Sequence, residues 1–163
     1  LEERITHYDA ALSEWQATHT GTALNIGAHP LNDHIAQLLL DNAMYDLSIR
    51  RYASAQRSVT RHLHHQPQSA QGHFTHGEVL RRSDKTLANT AAVHAYEQAI
   101  ACDPTHPDSY REAGLLYRAM GDATTALAHL QHYLQLAPEA PDVPIIHRYI
   151  ATLSTTTVEG TSP

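Results

Sequence analysis

The stretch REAGLLYRAMGD, Arg111 to Asp122, runs directly into ATTALAHLQHYLQLAP, Ala123 to Pro138. Tyr110, Ala113, Gly114 and Tyr117 recur at i, i+3, i+4 and i+7, so they share one face of a helix. Ala126 and Leu130 lie on a second helical stretch. Gly121 can adopt the left-handed conformation that ends a helix, and Asp122 can cap the next one. Pro138 cannot continue a helix and closes the unit. A turn this short forces two helices into an antiparallel pair. The small residues Ala113, Gly114 and Ala126 let their backbones approach, while Tyr110, Tyr117, Leu130 and Tyr133 fill the space around them.

The pattern recurs. Pro67, Pro104 and Pro138 each close an amphipathic run (HLHHQP, AIACDP and YLQLAP), at spacings of 37 and 34 residues. The last repeat, with Tyr110-x2-Ala113-Gly114-x2-Tyr117, Ala126-x3-Leu130 and Pro138, resembles the tetratricopeptide repeat (TPR), of bacterial type. Upstream, His73-x2-His76-Gly77-x2-Leu80, Ala92-x3-Tyr96 and Pro104 follow it with a turn three residues longer, near RRSDKTLANT. The extra length belongs in the loop, where it costs little. A degenerate repeat precedes that one. Ala55-x3-Val59 and Pro67 mark its second helix, Leu39 and Ala43 its first, and Asn42 and Asp46 stand where apolar residues are expected.

The expected fold is all-α, a right-handed α-solenoid of antiparallel helix pairs forming one domain over residues 1–163. Its parts are an N-terminal helix and loop (1–30), a degenerate repeat (31–67), a repeat with a long turn (70–104), the best repeat (107–138), a capping helix (141–153) and a polar tail (154–163). Ile5, Tyr8, Leu12 and Trp15 place the first helix at about Glu2 to Gln16. Ile146, Tyr149, Ile150 and Leu153 give the capping helix its apolar face.

Composition narrows the function. Net charge is -6 with histidines neutral, which argues against nucleic acid as a partner. The longest apolar run is too short to span a membrane. With one cysteine, Cys102, no intrachain disulfide forms. Cys102 falls at a usually apolar helix position and reads as a buried small hydrophobe. The start at Leu1 allows a cut or processed form, so the compartment, cytoplasmic or periplasmic, stays open.

Fourteen histidines invite a metal hypothesis, with i, i+3 pairs at His62/His65, His73/His76 and His129/His132. No HExxH or C-x-x-C accompanies them, and no carboxylate stands at a set spacing from any pair. His73 and His76 read as packing residues, with His76 buried and neutral. His62, His64 and His65 sit near a helix C-terminus, where partly protonated imidazole suits the dipole. Neither a glycine-rich phosphate loop nor G-x-S-x-G appears. No catalytic residue, metal site or cofactor is assigned, and the chain is read as a non-enzyme.

The resemblance implies a protein–protein interaction module with a concave groove lined by the first helix of each repeat. Its candidate partner-binding residues are Leu40, Met44, Phe74, Glu78, Arg81, Arg111, Leu115 and Arg118, with Gln71, Arg82 and Asp108 also inward. Leu40, Met44, Phe74 and Leu115 would form an apolar floor. The arginines would form a rim suited to the carboxylates of a peptide or protein partner. Leu40 and Met44 replace the Lys and Asn that a subset of the family uses to grip a peptide's terminal carboxylate, so that activity is not assigned. Two alternatives stand beside this reading. One is an accessory recruiting domain of a larger bacterial envelope enzyme such as a metalloprotease. The other is a self-association scaffold that forms a homodimer through the capping face or the Trp15 helix.

Overall fold

The computed structural model describes residues 28–83 and 88–159, together with Thr6 and Ala10. The proposed helix at Glu2–Gln16 and the loop after it lie otherwise outside the described residues. Among the described residues seven helices follow in order: α1 (Ala28–Ser48), α2 (Tyr52–His65), α3 (Ala70–Ser83), α4 (Ala88–Cys102), α5 (Pro107–Met120), α6 (Ala123–Leu136) and α7 (Val143–Glu159). Each packs on its neighbours in sequence, and α1 also touches α3. No strand occurs among the described residues. The result is an all-α solenoid of three helix pairs closed by α7.

The α5–α6 turn forms as its residues require. Gly121 has φ +86° and ends α5 in the left-handed region. The Asp122 N–H donates to the Tyr117 carbonyl at 3.0 Å, and the Asp122 side chain accepts from the Thr125 N–H at 3.0 Å to start α6. His106 caps α5 through Nδ1, with Pro107 next to it in the first turn.

The core runs between the helix pairs. Ala92, Val93, Tyr96, Ala113 and Leu116 form one cluster, with Phe74, Leu80 and Tyr117 packed against it. Ala126, Leu130, Tyr133, Ile146 and Leu153 form a second. Gly77 and Gly114 occupy the same place in their repeats, and both face the second helix of their own pair. A Cβ on Gly77 would lie 2.5 Å from Tyr96 Cε1, and one on Gly114 would lie 2.9 Å from Leu130 Cδ2. These positions need the backbone of one helix close to a large side chain of the next.

The degenerate first pair keeps the register by exchanging polar groups for apolar ones. Leu39, Ala43, Ala55 and Val59 are fully buried. Asn42 donates to Ser58 Oγ at 2.7 Å and to Asp46 Oδ2 at 3.4 Å, so the polar substitution in α1 is met by a serine in α2.

Several expectations need correction. The first helix starts at Ala28, three residues ahead of the expected start at residue 31. The capping helix continues to Glu159, so Ser154 to Glu159 are helical rather than a tail. No glycine or proline interrupts that stretch. Cys102 is only partly buried, with Sγ 3.6 Å from Gln68 Oε1.

Candidate partner-binding face

The spacings of 34, 37 and 34 residues carry each position of α1 onto α3, α5 and the α7 segment. Leu40, Phe74, Arg111 and Ile145 form one row, and Met44, Glu78, Leu115 and Tyr149 the next. Gln37, Gln71, Asp108 and Asp142 (the last just ahead of α7) lie beside the first row. Leu47, Arg81, Arg118 and Thr152 lie beside the second. The candidate residues thus share one side of four helices. Asp142, Ile145 and Tyr149 are not among the candidates assigned from sequence, although the same spacing carried past Pro138 reaches them.

The rows differ in exposure. Met44 is 46% exposed and Ile145 37%, whereas Leu40, at 5%, belongs to the core beneath them. Phe74 and Leu115 are partly buried. The Phe74 ring lies 5.1 Å from His106 and 5.7 Å from Tyr96, centroid to centroid. It is a wall anchored to the core rather than a free anchor.

Glu78 is buried, at 5% exposure, and not an open groove residue. Its Oε1 accepts from the Tyr96 hydroxyl at 2.6 Å and from Arg81 Nη2 at 2.9 Å, and its Oε2 contacts Arg82. Burial pushes this carboxyl up, but Tyr96, Arg81 and Arg82 more than offset it and hold it below the usual carboxylate range. Burial and the nearby Glu78 carboxylate raise the Tyr96 hydroxyl, which keeps it a donor. Tyr96 comes from α4, which is why the sequence of α3 alone gives no sign of this arrangement.

The arginines are occupied as well. Arg81 Nε also reaches Glu112 Oε2 at 3.6 Å, linking α3 to α5. Arg111 Nε contacts Glu112 Oε1 at 3.1 Å, and Arg111 Nη1 contacts Asp108 at 3.2 Å and Asp142 at 3.5 Å, linking α5 to the start of α7. Arg118 places its guanidinium carbon 4.1 Å from the Tyr149 ring centroid. The expected arginine rim is therefore a ladder of alternating charge from Arg82 to Asp142, with Arg118 stacked at its side.

The histidine pairs are engaged within the fold. His62 is 1% exposed, with Nδ1 2.7 Å from the Ala36 carbonyl and Nε2 2.8 Å from Ser69 Oγ. It is not an exposed cation at a helix end. Burial lowers its pKa despite the bond to Ala36. His76 is partly buried, bonds Gln56 at 2.9 Å and is likewise lowered by burial. His73 Nε2 lies 2.9 Å from the Pro67 carbonyl, and His129 stacks on Tyr117 and contacts Glu97 at 3.0 Å. Among the described residues no three His, Cys, Asp or Glu side chains gather as metal ligands would. No described helix is long and apolar enough to cross a membrane.

Comparison with known proteins follows the same geometry. Residues 87–151, from the start of α4 into α7, match a family model described as tetratricopeptide repeat. That stretch of the chain is of tetratricopeptide-repeat type. A UPF0162 protein of Xylella fastidiosa is 30% identical over 80 residues, 47% of this chain. The match spans 28% of that relative's length. The TPR domain of Arabidopsis OM64 superposes with a TM-score of 0.68 at 12% identity, over 74% of this chain and 98% of that one. The first TPR of Spaghetti (RPAP3), solved bound to an HSP90 peptide, gives 0.66 at 15% identity, over 76% and 95%. The helix pairs α1–α2, α3–α4 and α5–α6 share the fold of these domains, and the rows above lie on their first helices and continue onto α7.

Proposed function

We propose that this TPR domain is a protein-interaction module, without catalysis of its own, that holds a peptide or partner segment along the face built by α1, α3, α5 and α7. The observation that carries the reading is the repeated register. It leaves Met44, Ile145, Leu115, Phe74 and Tyr149 open to differing degrees along a single face. Met44 and Ile145 are exposed and Phe74, Leu115 and Tyr149 half-buried, so apolar side chains recur on this face in all four helices, interrupted by Arg111 and Glu78. The similar domain of Spaghetti holds an HSP90 peptide, which supports the same use here.

In this reading Met44, Leu115 and Ile145 supply contact area, Phe74 and Tyr149 supply walls, and Leu40 supports the floor from beneath. Glu78, Arg81 and Arg111 shape the face, while Arg118 borders it. The match to a short part of a longer relative favours a recruiting domain within a larger protein as the second reading.

The test is partner capture from the source cell with the wild-type chain, Met44→Asp and Ile145→Asp. Both sites are exposed, so the variants should fold, which circular dichroism checks. Loss of the same partners from both variants supports the reading. Equal retention by both would move the binding surface elsewhere.

A further inference from the structure

A cavity of about 410 Å³ opens where the start of α5 meets the turn between α6 and α7. Pro107, Ala137, Ala140 and Pro141 supply its apolar wall. Asp108, Asp142, Arg111 and Tyr133 supply its polar groups. Arg111 Nη1 lies between the two aspartates, 3.2 Å from Asp108 Oδ1 and 3.5 Å from Asp142 Oδ2. The other Asp142 oxygen accepts from the Tyr133 hydroxyl at 2.5 Å. These bonds hold Asp142 in place, while the Asp108 side chain remains 48% exposed.

The charge ladder gives this cavity its sign. From the α3 end the order is Arg82, Glu78, Arg81, Glu112 and Arg111, ending on both Asp108 and Asp142. Three arginines meet four carboxylates, and the unmatched carboxylate falls at the cavity end. An incoming carboxylate would face two aspartates against the one arginine already paired with both, a local excess of one negative charge. An apolar side chain would cover the wall but desolvate the aspartates without replacing their water. A lysine satisfies both parts of the site. Its methylene stem can lie on the prolines and alanines while its compact ammonium reaches Asp108 and Asp142.

We propose that this cavity is the subsite for a basic side chain, lysine in particular, of the segment bound along the concave face. The assignment rests on the reading of that face as partner-binding. It gives the bound segment a register, because the basic residue must sit where α5 and α7 meet.

The experiment is an amide-resolved NMR titration of the 15N-labelled chain with Nα-acetyl-L-lysine amide. Nα-acetyl-L-norleucine amide, which keeps the stem without the charge, is the control. The expected result is saturable shifts at Ala137, Ala140 and Asp142 with lysine and much smaller ones with norleucine. Asp108→Asn, at an exposed site, should raise the apparent Kd severalfold. Equal shifts with both probes, scattered shifts that do not saturate, or an unchanged Kd in Asp108→Asn would overturn the subsite. If lysine fails while partner capture still depends on Met44 and Ile145, only the subsite falls. If lysine binds but capture ignores those residues, the concave-face reading falls and the cavity stands as a separate site.

Discussion

Gly77→Ala adds one carbon at the tightest point of the middle repeat. The new Cβ would lie 2.5 Å from Tyr96 Cε1 and 2.7 Å from Cδ1. The ring has no room to withdraw, because Tyr96 is fully buried and its hydroxyl is fastened to Glu78 at 2.6 Å. Overpacking of this kind costs about 1–3 kcal/mol. If the ring shifts instead, the charge-assisted bond to Glu78 weakens, at about 1.5–3 kcal/mol. Replacing a mid-helix glycine by alanine returns about 0.5–1 kcal/mol. The net expectation is a loss of roughly 0.5–2.5 kcal/mol, read as a lower urea midpoint by circular dichroism at unchanged m-value. A double-mutant cycle with Tyr96→Phe separates the two routes. The alanine should cost less in the Tyr96→Phe background if release of the hydroxyl is part of the damage. An unchanged or higher midpoint for Gly77→Ala alone would mean that Tyr96 does not cover Gly77, and the helix register of this repeat would be wrong.

Ala126→Glu places a carboxylate at a fully buried site of the second core cluster, and the thermal midpoint should fall by the equivalent of about 3–5 kcal/mol. His62 and His76 both have folded pKa values below the ordinary 6.5. The unfolded chain therefore binds their protons first, so stability is full above about 6.5 and falls as pH drops from there towards the folded values. Each tenfold difference in a group's proton affinity between the folded and unfolded chain is worth about 1.4 kcal/mol of that loss. Urea titrations at stepped pH should show the decline and a smaller one in His76→Leu; identical profiles would remove His76 as a contributor. Partner affinity led by the apolar rows should fall only modestly between about 0.05 and 0.5 M salt, as a single cation at the Asp108–Asp142 end implies, and a steep dependence would mean that several charges lead the binding.

What the sequence discloses depends on how local the cause is. Gly121-Asp122 announces its turn because backbone conformation and capping are set within a few residues. Gly114 announces a close helix contact because its small size is meaningful beside Tyr110 and Tyr117. Glu78 does not disclose its burial, because its partner Tyr96 lies 18 residues away on another helix. His62 resembles a helix-end cation for the same reason. Its surroundings include Ala36 from α1 and Gly72 from α3, where an added Cβ would lie 2.5 Å from the imidazole Cδ2. The end of α7 reads as a tail because serine and threonine weaken a helix without stopping it. Asp142 and Tyr149 become legible only when the repeat spacing is carried past Pro138, where the signature itself has ended.

The arginines illustrate how a face can be charged without being a charge receptor. Arg81 contacts Glu78 and Glu112, and Arg111 contacts Glu112, Asp108 and Asp142. A partner's carboxylate arriving at either guanidinium would meet at least one resident carboxylate at nearly the same distance. At equal distance and in the same medium, the new attraction and the new repulsion are of the same size. What remains is the cost of desolvating the arriving carboxylate, which disfavours binding. The pairs Arg81–Glu112 and Arg111–Asp142 instead run between neighbouring repeats, so they tie α3 to α5 and α5 to the start of α7. Their side chains are partly shielded, with Glu112 at 12% exposure, so these contacts are screened less than those of freely solvated pairs. The ladder therefore fixes how the first helices sit against one another. Under the proposed function, selectivity falls to Met44, Leu115, Ile145 and Tyr149, and to the Asp108–Asp142 end of the ladder, where a cation would gain what an anion would lose.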